Sequence, residues 1–402
     1  MKRWSAPCVW ITSVRLASAA ILSGSLWSCT GSETLATAGP GEPLPGLSQQ
    51  QLARFEVGKQ WFDHRWTPEE GQGPLYMQEG CTSCHDIPTL GGAGSELLNE
   101  VTHWDPVEGC QILEEEGGPL VQDRTTPLLA QLGIRGEQRP PSATGFVALH
   151  PIPLYGLGLI EAIPDSTILS REDPDDADGD GISGRASRLP DGRLGRLGVK
   201  AYRATVYDLT EGAFRRSLGL TTPRTPHEET VGGTPLPPGT DPVPEPEITE
   251  EILGSVTDFI RYLAPAARPE PASKAEADTL RWGEEVFRTL GCPSCHVPAM
   301  HTGASDDPAF DRKTIFLYSD LLLHDMGPAL ADICGPTATP SELRTGRLMG
   351  LRFHKQYMHD GGASSINYAI LRHGGEATAA RQAYDRLSWE VRQYLIRFLS
   401  SL

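Results

Sequence analysis

Two stretches of this chain hold residues able to do chemistry as a set: Cys81-Thr82-Ser83-Cys84-His85 and Cys292-Pro293-Ser294-Cys295-His296. Two cysteines three apart, with histidine next, is the spacing at which haem is attached covalently. The thiols add across the two vinyl groups of one porphyrin, and the adjacent imidazole lies under the iron as an axial ligand. Zinc would need four ligands per site, whereas each copy supplies three that point differently. The pattern predicts two covalently bound haems c, held by Cys81, Cys84, Cys292 and Cys295, with His85 and His296 on the irons.

Helices must present both motifs. Ser48 to Gln51 has capping-box form, and Leu52, Phe55, Val57-Gly58 and Phe62 follow at helical spacing. Ser273 to Glu276 repeats the box, followed by Leu280, Gly283, Phe287 and Leu290. Gly58–Phe62 matches Gly283–Phe287, a glycine for close helix crossing and an aromatic to pack at it. Partner helices are expected over 249–263, with Ile252, Val256, Phe259, Ile260 and Leu263 on one face, and over 388–402, with Val391, Tyr394, Leu395, Phe398, Leu399 and Leu402. Asp258–Leu263 echoes Tyr394–Leu399, and Leu154–Leu157 echoes Leu348–Leu351.

The expected fold is therefore all-α: two cytochrome c-like haem domains in tandem, with long irregular connections. The first spans 48–264, with a Pro-rich excursion at 222–247. A linker at 265–272 leads to the second, 273–402.

The rest of the composition sets the compartment. Lys2, Arg3 and Arg15 precede or flank the apolar run Leu16–Trp27, and residues 1–28 lack acids, as in a signal peptide. Leu26-Trp27-Ser28-Cys29 has lipobox form, so Cys29 is expected to carry lipid, with 29–47 as a flexible tether. The expected location is the periplasm or cell envelope, with the membrane touched only through that anchor. A net charge of −17 argues against nucleic acid and suits a small redox protein, or another electron donor, as partner. Cys110 and Cys334 remain once the motif cysteines, Cys8 and Cys29 are set aside. A disulfide between them or two buried thiols are both open.

The sixth iron ligand decides whether a haem shuttles electrons or binds a small molecule. No methionine lies between Met77 and Met300, so the first haem is left with His103, His150, Tyr155 or water. The second has His324, Met326, Met349, Met358, His359 and His373. Asp176, Asp178, Asp180 and Gly181 form the first half of a calcium loop, but position twelve is Ser187 instead of glutamate.

Several longer motifs follow one another: Gly91–Gly94, Tyr155–Pro164, Asp178–Arg185, Gly195–Ala201, Asp320–Gly327, His359-Asp360-Gly361 and His373–Ala377. In these the chain resembles the bacterial di-haem oxidoreductases, often labelled peroxidases or thiol oxidoreductases. They are more distantly similar to di-haem cytochrome c peroxidases and to the enzyme that matures a tryptophan-derived quinone. The resemblance implies His373 as the distal ligand of the second iron and Glu161 as the acid–base group, and it adds weight to calcium at Asp176, Asp178 and Asp180. It also implies that hydrogen peroxide is reduced at the first haem with electrons relayed through the second. The alternatives are a non-catalytic electron carrier, or oxidation of an organic or protein substrate by a high-valent haem. Leu197 and Val199 stand where that family usually has phenylalanine and tryptophan; Trp104 is a possible replacement for the indole.

Overall fold

The computed structural model describes residues 37–402; the expected signal peptide and Cys29 lie outside them. Ten α-helices occur among the described residues: α1 (Gln49–Asp63), α2 (Pro127–Gln131), α3 (Leu157–Glu161), α4 (Asp165–Leu169), α5 (Val206–Leu218), α6 (Glu250–Tyr262), α7 (Lys274–Thr289), α8 (Ile366–Arg372), α9 (Thr378–Asp385) and α10 (Trp389–Leu399). They alternate with short strands: β1 (Leu75–Tyr76), β2 (Leu98–Asp105), β3 (Gly109–Gln111), β4 (Arg124–Thr125), β5 (Gly145–Leu149), β6 (Ser187–Arg188), β7 (Leu194–Gly195), β8 (Met300–His301), β9 (Thr314–Ile315), β10 (Leu323–Asp325) and β11 (Glu342–Arg344).

The all-α expectation is thereby corrected: of the described residues 32% are helical and 14% strand, in several small sheets. The long connections are too rich in glycine and proline for helices, yet their buried backbone groups still need partners, which short antiparallel pairs supply. The largest sheet has the order β3-β2-β5, with Leu98 opposite Leu149 and Trp104 opposite Cys110.

The helices that carry the motifs form where expected. Ser48 Oγ accepts from Gln51 N, and Gln51 Oε1 accepts from Ser48 N, so the first box closes. In the second, Ser273 Oγ accepts from Glu276 N, but Glu276 reaches one residue further back, to Ala272 N.

Helix α1 crosses α6 at Gly58, where a side chain would overlap the Ser255 carbonyl and sit 2.9 Å from Phe259 Cβ. Helix α7 crosses α10 at Gly283, where it would overlap the Tyr394 carbonyl and sit 2.5 Å from Phe398 Cβ. Phe62 packs on Phe259 with ring centroids 4.9 Å apart, and Phe287 on Phe398 at 5.6 Å. The true equivalence is thus Ser255 with Tyr394 and Phe259 with Phe398. The echo that aligned Asp258 with Tyr394 is three residues out, close to one helical turn, because an apolar stripe reads similarly after such a slip. The other echo holds: Gly156 N donates to Leu263 O (2.9 Å) and Gly350 N to Leu402 O (3.1 Å), so each half is closed in the same way.

The tether reading fails from Ala38 onward. Ala38 N donates to Pro265 O, Ala267 N to Ala38 O and Leu44 N to Tyr262 O, stitching the expected tether to the expected linker. One apolar cluster gathers Phe55, Phe62, Trp66, Ile160, Phe214 and Phe259, together with Met300, Leu317, Leu321 and Met349 from beyond the linker. A second gathers Phe287, Tyr318, Ile366, Tyr384, Leu395 and Phe398. Fully burying one such phenylalanine contributes about 2–3 kcal/mol.

Candidate functional site

Each cysteine motif is a single tight turn; the second directly follows α7, whereas β1 lies between α1 and the first. His85 N donates to Cys81 O (3.0 Å) and His296 N to Cys292 O (2.9 Å). The thiols are shielded from solvent, and burial pushes those of Cys81, Cys84 and Cys292 up to about 12.

The imidazoles are fixed alike. His85 Nδ1–H donates to the Gly92 carbonyl (2.9 Å), and His296 Nδ1–H to the Tyr318 carbonyl (3.0 Å). That choice of tautomer leaves Nε2 with its lone pair, as an iron ligand requires. Both rings keep some accessible surface, yet the protein crowded round them pushes each down to about 4, so both are neutral at neutral pH. The segments that follow match too: Leu154 N donates to Gly91 O (2.7 Å) and Leu348 N to Leu317 O (3.1 Å). Phe62 lies 6.5 Å from His85, and Phe287 lies 6.5 Å from His296.

Beyond this the two halves differ. His373 follows α8, and its ring centroid lies 6.4 Å from that of His296 at an interplanar angle of 54°. Its Nδ1–H donates to Ala369 O (2.8 Å), the same arrangement as the two motif histidines. Burial lowers the affinity of His373 for a proton as well. Among the described residues, no histidine ring stands across from His85 at such a spacing.

Other candidates are committed elsewhere. His324 Nδ1 pairs with Glu376 (2.7 Å) and Nε2 with Asp320 (2.8 Å). Burial alone would depress His324, but its bonds to the carboxylates of Asp320 and Glu376 raise its affinity for a proton. His359 Nε2 lies 2.5 Å from Asp332, which also pairs with the fully buried Lys200 (3.5 Å). His103 Nδ1–H donates to Ser142 O, and Tyr155 hydroxyl to Thr89 O.

Glu161 does not stand free. Its two oxygens take Arg261 Nε (2.7 Å) and Arg261 Nη2 (3.2 Å), and Oε1 also accepts from Val206 N at the start of α5. Glu161 thus forms an ion pair with Arg261 and caps the start of α5.

In the acidic loop, the carboxylates of Asp173, Asp176 and Asp178 converge within 4.8 Å of one another, so Asp173 joins where Asp180 was expected. Asp180 Oδ1 accepts from Ile182 N, and Ser187 lies on β6 bonded to Thr337. Cys110 and Cys334 form a disulfide with Cα atoms 5.7 Å apart. Trp104 lies opposite Cys110 on the outer pair β2–β3, and Val199 gives its carbonyl to Arg344 N.

Sequence reasoning missed the cations of the seam. Arg344 and Arg347 are 8% and 9% exposed. Arg344 donates to Gly198 O and Thr345 O, and Arg347 to Pro153 O. Burial pushes Arg344 down to about 10 and Arg347 down to about 9. Neither has a carboxylate at ion-pair distance among the described residues, although a buried guanidinium calls for one. Trp66 Nε1 and both ring nitrogens of His150 are likewise buried without a partner. Unpaired donors beside two C-x-x-C-H turns fit a flat, mostly apolar cofactor that carries carboxylates, as haem does.

Among curated proteins, none matches the sequence. Solved structures that align include hydrazine synthase of Kuenenia stuttgartiensis (TM-score 0.40, 14% identity, 97% of this chain and 100% of that one). The diheme peroxidase BthA of Burkholderia thailandensis E264 aligns at TM-score 0.40 and 15% identity, over 92% and 90%. A MauG-like protein associated with microbial copper homeostasis aligns at 0.36 and 14%, over 91% and 92%. Residues 146–402 match the family model described as "Di-haem oxidoreductase, putative peroxidase", and with well over half of its length matched, the chain belongs to the di-haem oxidoreductase family.

Proposed function

We propose that each motif holds a covalently attached haem c, that the second iron is closed by His296 and His373, and that hydrogen peroxide is reduced at the first haem with electrons entering through the second. The observation that carries this is the unequal pairing of the two motif histidines. Two imidazoles sharing one metal, each nitrogen about 2 Å from it, place their ring centroids roughly 6 Å apart. His296 and His373 meet that requirement at 6.4 Å with both Nδ1–H groups anchored, whereas among the described residues His85 has no such counterpart.

Bound haem supplies the redox-active iron. The chain supplies orientation, through the Gly92 and Tyr318 carbonyls, and cations suited to porphyrin carboxylates, through Arg344 and Arg347. The seam between the halves is tied by several hydrogen bonds. Arg185 and Leu323 exchange backbone bonds, Lys200 Nζ donates to Pro340 and Glu342 carbonyls, and Ser183 binds Glu376. Such a seam suits electron passage at a fixed separation.

A disulfide supports an oxidising compartment, which agrees with export and a lipid at Cys29. The acidic chain suits a basic donor protein. Calcium at Asp173, Asp176 and Asp178 is part of the same reading. Calorimetry after chelation should show one uptake event, and its absence would remove the ion.

The deciding experiment is electron paramagnetic resonance of the oxidised holoprotein. One high-spin and one low-spin iron are expected, with peroxide altering only the former. Two low-spin signals would make the protein a carrier and sink the proposal.

A further inference from the structure

His150 is the buried imidazole with no task in the site described so far. It is 8% exposed, and neither ring nitrogen has a hydrogen-bond partner. Its backbone N–H is held by His359 O (2.8 Å), and its ring lies 6.4 Å from that of His354, tilted by 54°. Several contacts place the pair beside the first haem motif. His150 opens the segment that reaches Leu154, whose N–H is bound by Gly91 O, next to the Gly92 carbonyl that anchors His85. Arg347 reaches Pro153 in that segment, and its charge bears on both His85 and His354.

The three histidines assigned to iron share one trait, an Nδ1–H given to a backbone carbonyl, and His150 lacks it. A ligand is normally anchored through its second nitrogen. Proton transfer needs one ring nitrogen free to face the ligand, and His150 has both free. The rival groups are taken: Glu161 by Arg261, Tyr155 by Thr89, and His103 by Ser142. Burial keeps His150 and His354 neutral at neutral pH, the state in which an imidazole accepts a proton.

We propose that His150, backed by His354, is the group that moves protons for the small oxygen-containing ligand of the first haem. This rests on the reading of that haem as the open one. Hydrogen peroxide takes up two electrons and two protons and leaves as two waters. The electrons come from two equivalents of a one-electron donor protein. As the O–O bond breaks, His150 takes the proton from the oxygen nearer the iron and returns it to the departing oxygen. Both protons that are taken up come from solvent, after this internal transfer.

The test uses His150→Gln in the holoprotein, with haem content checked by mass. Loss of a general acid–base group should slow cyanide association and peroxide consumption by about a hundredfold or more. The high-spin signal should remain as in the parent. Unchanged rates would overturn the proposal, and so would a new high-spin signal, which would make His150 an iron ligand. If the variant loses haem, His150→Asn is judged in the same way. If both lose it, the parent decides: association slowed in heavy water supports the proposal, and a rate unchanged in heavy water overturns it. A parent that binds no cyanide would sink the open-iron reading itself, and the proposal with it.

Discussion

His373 presents its ring 6.4 Å from His296 while giving its Nδ1–H to Ala369, one turn back at the end of α8. Helix α8 thereby acts as a short bracket whose C-terminal carbonyl fixes the imidazole. His373→Ala should convert the second iron from low to high spin, seen as a new high-spin resonance and a shifted optical band. His359→Ala should leave the spin states alone, because that ring is tied to Asp332. A low-spin spectrum that survives His373→Ala would remove the ligand assignment.

The glycine crossings predict a second outcome. A methyl at Gly283 would overlap the Tyr394 carbonyl, which belongs to a helix backbone and cannot swing aside as a side chain would. Gly283→Ala should therefore cost about 3 kcal/mol or more, at the upper end for overpacked cores. Gly58→Ala, against Ser255, should cost a similar amount. Thermal unfolding of the holoproteins measures both, and Gly254→Ala, where space is open, serves as the control.

Those crossings were legible because glycine and phenylalanine four apart repeat before each cysteine motif. Local signals of that kind also revealed the caps of α1 and α7 and both Cys-x-x-Cys-His turns. The register of α6 against α10 was not legible, since an apolar stripe survives a shift of three residues. Nor were Arg344 and Arg347, which in sequence are ordinary cations and become unusual only when the seam buries them without a carboxylate. The pairing of Glu161 was hidden for the converse reason: its partner Arg261 lies a hundred residues away. The strands hid in glycine- and proline-rich connections, where pairing depends on distant partners such as Leu98 with Leu149.

The Pro-rich excursion yields a pH prediction. Carboxyl groups of Glu228, Asp241, Glu245 and Glu247 converge there. Burial, then the neighbouring carboxyls, push Glu228 up to about 11, and burial pushes Glu247 up to about 8. A raised folded-state value means that the folded chain holds protons the unfolded one releases. The stability this gives is full below the ordinary glutamate range and is lost as pH rises through neutrality. Glu228→Gln keeps the shape of the protonated group without the cost of taking up a proton on folding, so it should raise the unfolding midpoint near pH 8 more than near pH 5. A variant less stable than its parent at the higher pH would show that a bound cation, and not protons, neutralises the cluster.

The disulfide ties the sheet of the first half to the second half across 224 residues. Cys334 N also donates to Thr102 Oγ1 (2.9 Å) on β2, so two bonds of different kinds hold the same junction. Replacing Cys110 and Cys334 together by serine should cost about 2–5 kcal/mol, chiefly through the greater freedom of the unfolded chain. Because the folded junction keeps its Thr102 contact, the optical spectra of both haems should not change. Reductant added to the parent should lower its unfolding midpoint to that of the double variant and leave the variant unmoved. A spectral difference between the double variant and its parent, with the irons in the same oxidation state, would mean instead that the bond sets the geometry of a haem site, a role the position of Cys110 on the outer strand β3 argues against.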